Sequence, residues 1–231
     1  MSLLLKKFLR LFAVVFVALF AAYLLMVLYI VYMGDRLAFN VQPTSYTETT
    51  CDFVESTDGN RIAYRYYHLP GERRTLLYSH GSNVDMGSID YISKLLLKQG
   101  YNVLMYDYPG VGLSSGTLSE AGTYAASSAV YNLLTGQMGI PEDRIILYGR
   151  SVGCAPTLHL SMHHAGVGEV VVVSPFLSPL RIVSRIPIFP GDLFENYKNH
   201  TACRSATLDR PWHEGYNGPR MAFSALTRFS L

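Results

Sequence analysis

From Leu11 to Met33 the chain has no charged side chain, and the 23 residues LFAVVFVALFAAYLLMVLYIVYM are apolar on every face. At a helical rise of about 1.5 Å per residue this run reaches roughly 35 Å, enough to cross a hydrocarbon core of about 30 Å. A helix buried in a protein core normally shows one polar side, and a cleaved signal peptide has a shorter apolar region followed by a small-x-small site, which is missing here. The run is therefore expected to be an uncleaved membrane anchor, with residues 1–33 as the anchor and 34–50 as a polar tether. Lys6, Lys7 and Arg10 precede the run, whereas Arg36 is the sole cation in the 20 residues after it. The positive-inside rule then places the N-terminus in the cytosol and the remainder in a lumen or outside the cell. Tyr29 and Tyr32 suit the far interface.

The rest of the composition excludes two classes of protein. With 49% hydrophobic and 16% charged residues and a formal net charge of +2, the 231-residue chain is neither a disordered polymer nor a polyanion binder, so no nucleic-acid partner is expected. Cys51, Cys154 and Cys203 are too few and too scattered for a disulfide framework or a zinc site. No metal or organic cofactor is called for.

After the tether, segments 51–56 and 61–67 flank Asp58-Gly59, a strong hairpin signal. Apolar strand candidates follow at 75–79, 101–106, 144–148 and 169–173, separated by helical stretches at 87–98, 119–138 and 154–164. Short apolar strands alternating with helices predict an α/β fold, a mostly parallel sheet with helices on both faces. In such sheets chemistry gathers at the carboxyl ends of the strands.

One strand end carries a specific pattern. The strand at 144–148 runs straight into Gly149-Arg150-Ser151-Val152-Gly153 and then a helix, the strand–turn–helix context that a G-x-S-x-G elbow requires. Ser151 is the candidate nucleophile, lifted clear of the sheet on a strained turn. Gly149 and Gly153 are glycines because a side chain would crowd the neighbouring strand or helix. The Val152 N–H, at the helix N-terminus, is one candidate oxyanion donor. His80-Gly81-Ser82-Asn83 follows the strand at 75–79, and Gly81 permits the close approach that would make the Ser82 N–H the second donor. His80 is read as a loop-shaping residue and Asp107, in Asp107-Tyr108-Pro109-Gly110-Val111-Gly112-Leu113-Ser114, as a structural carboxylate at a rigid turn.

These ordered motifs, with Ser174-Pro175 after the next strand, resemble the alpha/beta-hydrolase superfamily over about residues 50–199. Within it the chain is similar to the membrane-associated branch of protein depalmitoylases (acyl-protein thioesterases) and their lipid-hydrolysing relatives, a group filed with clan SC serine peptidases. The resemblance implies Ser151 as nucleophile with the Ser82 and Val152 amides as oxyanion hole, and an acylated protein or a lipid as substrate. Those depalmitoylases tether themselves through N-terminal palmitoylated cysteines, whereas here no cysteine precedes Cys51. The expected activity is two-step acyl transfer on an ester or thioester, impaired in the chain as written. A noncatalytic membrane-tethered interaction protein and a serine peptidase-like enzyme stay open beside it.

The impairment is expected because a carboxylate and then a histidine must follow Ser151 in chain order, and without an imidazole the serine keeps its proton. Residues 200–219 show no apolar run or periodicity, so Asp209, Glu214, His200 and His213 are not assigned catalysis and the triad acid and base remain unknown. Back-translating Ala206 to Arg220 and reading one base later permits PLLIVHGTKDTMVP, an apolar strand followed by Gly-x-x-Asp. A one-base frame slip near residues 198–200 would thus account for an atypical tail over 200–231. Sequencing the transcript through those codons is expected to show a base gained or lost; an undisturbed frame ends the idea and leaves a natural truncation.

Overall fold

The computed structural model describes residues 3–39, 41–175 and 220–222. It opens with helix α1 (Leu3–Phe39), which includes a 25-residue apolar window, Leu5–Tyr29, of mean hydropathy 2.9 with none of it buried against the rest of the chain. By length and composition this helix can cross a membrane or serve as a signal sequence. It runs six residues past the expected end of the anchor, because nothing in Gly34–Phe39 forbids α geometry. The first part of the expected tether is therefore helical, and Glu48–Thr50 forms a single 3-10 turn.

The body is a seven-stranded sheet of β1 (Asp52–Glu55), β2 (Arg61–Tyr67), β3 (Thr75–Ser79), β4 (Asn102–Tyr106), β5 (Ile145–Arg150), β6 (Glu169–Val173) and β7 (Arg220–Ala222), in the order β1-β2-β4-β3-β5-β6-β7. The β1/β2 hairpin closes through Asp58-Gly59, with Gly59 at φ +78, and β2 joins β4 antiparallel. All other pairings are parallel. Helices α2 (Asp90–Lys98), α3 (Glu120–Asn132) and α4 (Cys154–His163) make the crossovers. The hydroxyl of Ser119 caps α3 by accepting the Gly122 N–H at 3.0 Å. A five-residue π turn, Leu133–Gln137, extends α3 close to its expected end.

Strand alternation explains why there are two cores. Along β4, Leu104 and Tyr106 face one cluster with Leu77, Leu147, Val130 and Leu158, while Val103 and Met105 face the other with Tyr78, Ile89 and the partly buried Leu96. From β3 the chain moves one way through α2 to β4, then back past β3 through α3 to β5. Right-handed crossovers in opposite directions put α2 on one face and α3 and α4 on the other. The order reverses between β3 and β5, and a crevice opens at the carboxyl ends of strands at such a point.

The strand reading of the tail differs in one place. β7 pairs in parallel with β6 at Glu169↔Arg220 through Val171↔Ala222, just beyond residues 200–219, where the sequence shows no strand signal. Three residues are too short for a periodicity to register, and the open edge of β6 supplies the pairing. Residues 176–219, including the suspected junction at 198–200, His200, Asp209, His213 and Glu214, lie outside the described residues, as does the tail beyond 222.

Leu104 is completely buried at the centre of this sheet. Leu104→Ala is expected to lower the unfolding free energy by about 2–5 kcal/mol, measured by denaturant titration of the purified chain.

Candidate active site

The turn after β5 has the geometry expected of an elbow. Arg150 is extended at φ −119, ψ 130, Ser151 switches to φ +53, and a 3-10 turn, Ser151–Gly153, leads into α4. Left-handed backbone is unusual for a residue with a side chain, and such strain persists only where surrounding packing enforces it. That packing is visible at both glycines. A Cβ at Gly149 would stand 2.5 Å from Thr157 Oγ1 and 2.6 Å from Gly153 O, and one at Gly153 would stand 2.1 Å from Ser79 O and 2.5 Å from His80 O. The first turn of the helix is thus pressed directly onto the backbone at the end of β3.

That contact brings the second motif to the first. Ser79 pairs with Gly149 in register, and a Cβ at Gly81 would lie 3.6 Å from both Arg150 O and Ser151 Cβ. The His80-Gly81-Ser82-Asn83 loop therefore crosses against Ser151, with Asn83 also left-handed at φ +64. Val152 is buried, while Ser151 and Ser82 are partly exposed. The Gly81 loop, which includes Ser82, and the Ser151-Val152 turn meet at the β3/β5 crevice. The N–H groups of the first helical turn have no intrahelical acceptor, so the Val152 amide is of the kind that can serve an anion.

His80 and Asp107 form the wall behind this loop. His80 Nδ1 donates to Gly81 O at 2.8 Å; a carbonyl only accepts, so the ring hydrogen is on that nitrogen. Nε2 lies 3.1 Å from Asp107 Oδ1 without the alignment of a hydrogen bond, and both side chains are almost wholly enclosed. The Tyr108 hydroxyl donates to His80 O at 2.7 Å. Asp107 accepts the Met86 N–H at 2.8 Å on Oδ1 and the Tyr46 hydroxyl at 2.5 Å on Oδ2. Both residues are committed to holding loops, which agrees with the structural roles read for them. Gly112, at φ +55, lies so close that a Cβ there would stand 2.0 Å from Asp107 Oδ2.

Tyr46 is the participant that sequence reasoning missed. It sits in the expected tether, 61 residues from Asp107, and no local pattern marks it. Burial, and then the Asp107 carboxylate beside it, raise its phenol pKa, so it remains a donor. Cys154, on the first turn of α4, is no competing nucleophile: burial pushes its thiol up to about 12. No group of three or more His, Cys, Asp and Glu side chains among the described residues could hold a metal. His163 and His164, at the end of α4, are engaged locally, His163 Nδ1 donating to His159 O at 2.7 Å and His164 Nδ1 lying 3.6 Å from Glu142 Oε1.

Known proteins resemble this chain. A family model described as Serine aminopeptidase, S33 (Hydrolase_4) matches residues 70–208. Alpha/beta hydrolase domain-containing protein aho-3 of Caenorhabditis elegans is 37% identical over 134 residues, 57% of this chain and 39% of its own length. Human Alpha/beta hydrolase domain-containing protein 17C is 35% identical over 144 residues, 59% of this chain and 44% of its own length. The chain thus spans less than half the length of either relative. An alpha-beta hydrolase from Vibrio vulnificus has the same fold, with a TM-score of 0.55 at 21% identity, covering 66% of this chain and 59% of that one.

A pair of substitutions tests the elbow packing. Gly153→Ala, which drives a methyl into two carbonyl oxygens, is expected to cost about 3 kcal/mol or more in thermal or denaturant unfolding. Gly136→Ala, where nothing lies within 4 Å, is expected to change stability by less than about 1 kcal/mol. With a strained serine turn locked onto β3 and a family model matching more than half of its residues, the chain belongs to the alpha/beta-hydrolase family described as Serine aminopeptidase, S33.

Proposed function

We propose that the chain derives from a membrane-anchored serine hydrolase acting on an ester or thioester of an acylated protein or a lipid. The observation that carries this is Ser151, held left-handed on a strand-to-helix turn, with room for no more than a Cβ between Gly81 and its own Cβ. Ser151 Oγ attacks the acyl carbonyl, and the resulting oxyanion rests on the Ser82 and Val152 amides. The alcohol or thiol departs, leaving an acyl-serine, and water then attacks that ester to release the acid and restore the hydroxyl. A single oxyanion donor of this kind is worth about 2.7–4 kcal/mol. Similarity to Alpha/beta hydrolase domain-containing protein 17C supports the depalmitoylase-like substrate class. The uncharged faces of α1 support the anchor, and Lys6, Lys7 and Arg10 support a cytosolic N-terminus.

A second reading is a noncatalytic, membrane-tethered binding protein. It is favoured by the commitment of His80 Nδ1 to Gly81 O, since the other described histidines are His68, after β2, and His159, His163 and His164, on or just after α4. The two are separated with a fluorophosphonate probe on the folded full chain. Covalent labelling at Ser151, abolished in Ser151→Ala, is expected for the hydrolase. With thioester substrate the variant is expected to fall to a residual rate on the order of 10³–10⁴ over the uncatalysed reaction. Absence of labelling in the folded wild-type chain would overturn the hydrolase reading for the chain as it stands.

A further inference from the structure

The segment joining α1 to the sheet is fastened to the loops that carry the site. Thr44 Oγ1 donates to Gly112 O at 2.8 Å, and Ser45 binds both oxygens of Asp85 through its amide at 2.7 Å and its hydroxyl at 2.5 Å. Tyr46 donates to Asp107 and accepts the Leu113 N–H at 3.1 Å. Although burial alone would raise it, the Asp85 carboxyl is held below its ordinary pKa by the Ser45 and Ser88 donors, so it is ionised at neutral pH. A Cβ at Gly87 would stand 2.5 Å from Ser45 Oγ and 2.8 Å from the Tyr46 ring. Gly87 leads directly into α2, so this strap and the start of α2 touch. Phe39 and Thr44 are five residues apart, which an extended chain spans in at most about 18 Å.

The outward side of α2 supplies an independent observation. Tyr91, Lys94, Leu95 and Lys98 stand at i, i+3, i+4 and i+7, which is one helix face, and all four are exposed, Tyr91 by 57% and Leu95 by 54%. Ser93, on the opposite side, is buried, and Ile92 and Leu96 pack into the core. Apart from α1, the large hydrophobic side chains exposed among the described residues are Val41, Tyr91, Leu95 and Met162. Three of those four fall on the strap segment or on α2. An exposed tyrosine and leucine between lysines is the composition of a helix that lies in a membrane interface. Lys94 divides its charge with Asp90 at 2.8 Å, so Lys98 carries the larger share of any attraction to anionic headgroups.

We propose that the Tyr91–Lys94–Leu95–Lys98 face of α2 rests on the lipid surface that α1 enters, held there by the docked strap Thr44–Tyr46. This rests on the reading of α1 as a membrane span. Tyr91 and Leu95 reach the boundary between headgroups and acyl chains, Lys98 meets headgroup phosphates, and the loops after β3 and β4 come to lie beside the bilayer. An acyl group leaving the membrane then has a short path to Ser151.

The test is photo-crosslinking of the full chain in vesicles of phosphatidylcholine with about one-fifth phosphatidylserine, doped with a lipid carrying a diazirine near its headgroup and one carrying it along its acyl chain. Adducts mapped by mass spectrometry are expected on α1 and also on Tyr91 and Leu95. The α2 adducts are expected to fall roughly fivefold in vesicles lacking phosphatidylserine, the factor for one lysine near a charged surface. In Tyr91→Ser/Leu95→Ser, two exposed changes that leave the core intact, they are expected to vanish while those on α1 persist. In Ser45→Ala/Tyr46→Phe they are expected to fall at least as far as on removing the anionic lipid, and an unchanged level there overturns the role of the strap. Adducts confined to α1 in the wild-type chain overturn the lipid contact. An amine cross-linker joining Lys98 to another part of the chain, or to a second copy, would then identify what covers the face. A chain without adducts on α1 instead defeats the membrane-span reading itself, so the two failures are distinguishable.

Discussion

Contact between the backbone of Gly153 and the last carbonyls of β3 is the constraint on which the rest of the site depends. The Ser79 and His80 carbonyl oxygens occupy the space where any other residue would carry its Cβ. Because α4 starts that close to β3, Gly149 must also be bare, the chain must turn abruptly, and Ser151 is left at positive φ. The crevice between β3 and β5 then holds the serine beside the Gly81 loop. The strain at Ser151 is sustained by a sheet whose central strands are buried on both faces.

Behind that crevice, Asp107 is the point where three pieces of chain meet. Its two oxygens take the Met86 amide from the loop before α2 and the Tyr46 hydroxyl from the strap, with the His80 ring in ion-pair range. Its carbonyl accepts the Ser114 hydroxyl, which itself accepts the Ala63 N–H of β2. Removing a partner from an enclosed carboxylate leaves charge without compensation, which costs more than a surface contact ever returns. The carboxylate therefore holds the α2 loop and the strap in one fixed arrangement beside the His80 ring.

Much of the fold was legible in the sequence because the strands and helices announce themselves locally. The apolar runs at 75–79 and 169–173 are strands with those same bounds, and the Asp58-Gly59 hairpin and the elbow fall where their turn chemistry puts them. The roles of His80 and Asp107 were also readable, since both sit on rigid turns at strand ends. What escaped was set by contacts distant along the chain. Nothing in Thr44-Ser45-Tyr46 distinguishes a docked strap from a polar linker until Asp85, Gly87 and Asp107 are folded beneath it. The end of α1 was not legible for a different reason: loss of apolarity after Met33 marks where lipid is expected to end, whereas the helix runs on to Phe39. β7 is only three residues long and owes its conformation to an edge provided by β6.

The strap also bears on how a soluble version of this domain is to be cut. A natural choice is to discard the greasy helix together with the linker and begin at Cys51, where the sheet starts. That truncation would strip the hydroxyls from Asp85 and Asp107 and open to water the floor beneath Gly87 and Gly112. Beginning at Val41 keeps those seals while leaving out α1, so the choice of first residue decides whether Asp85 and Asp107 keep their hydroxyl partners or meet water.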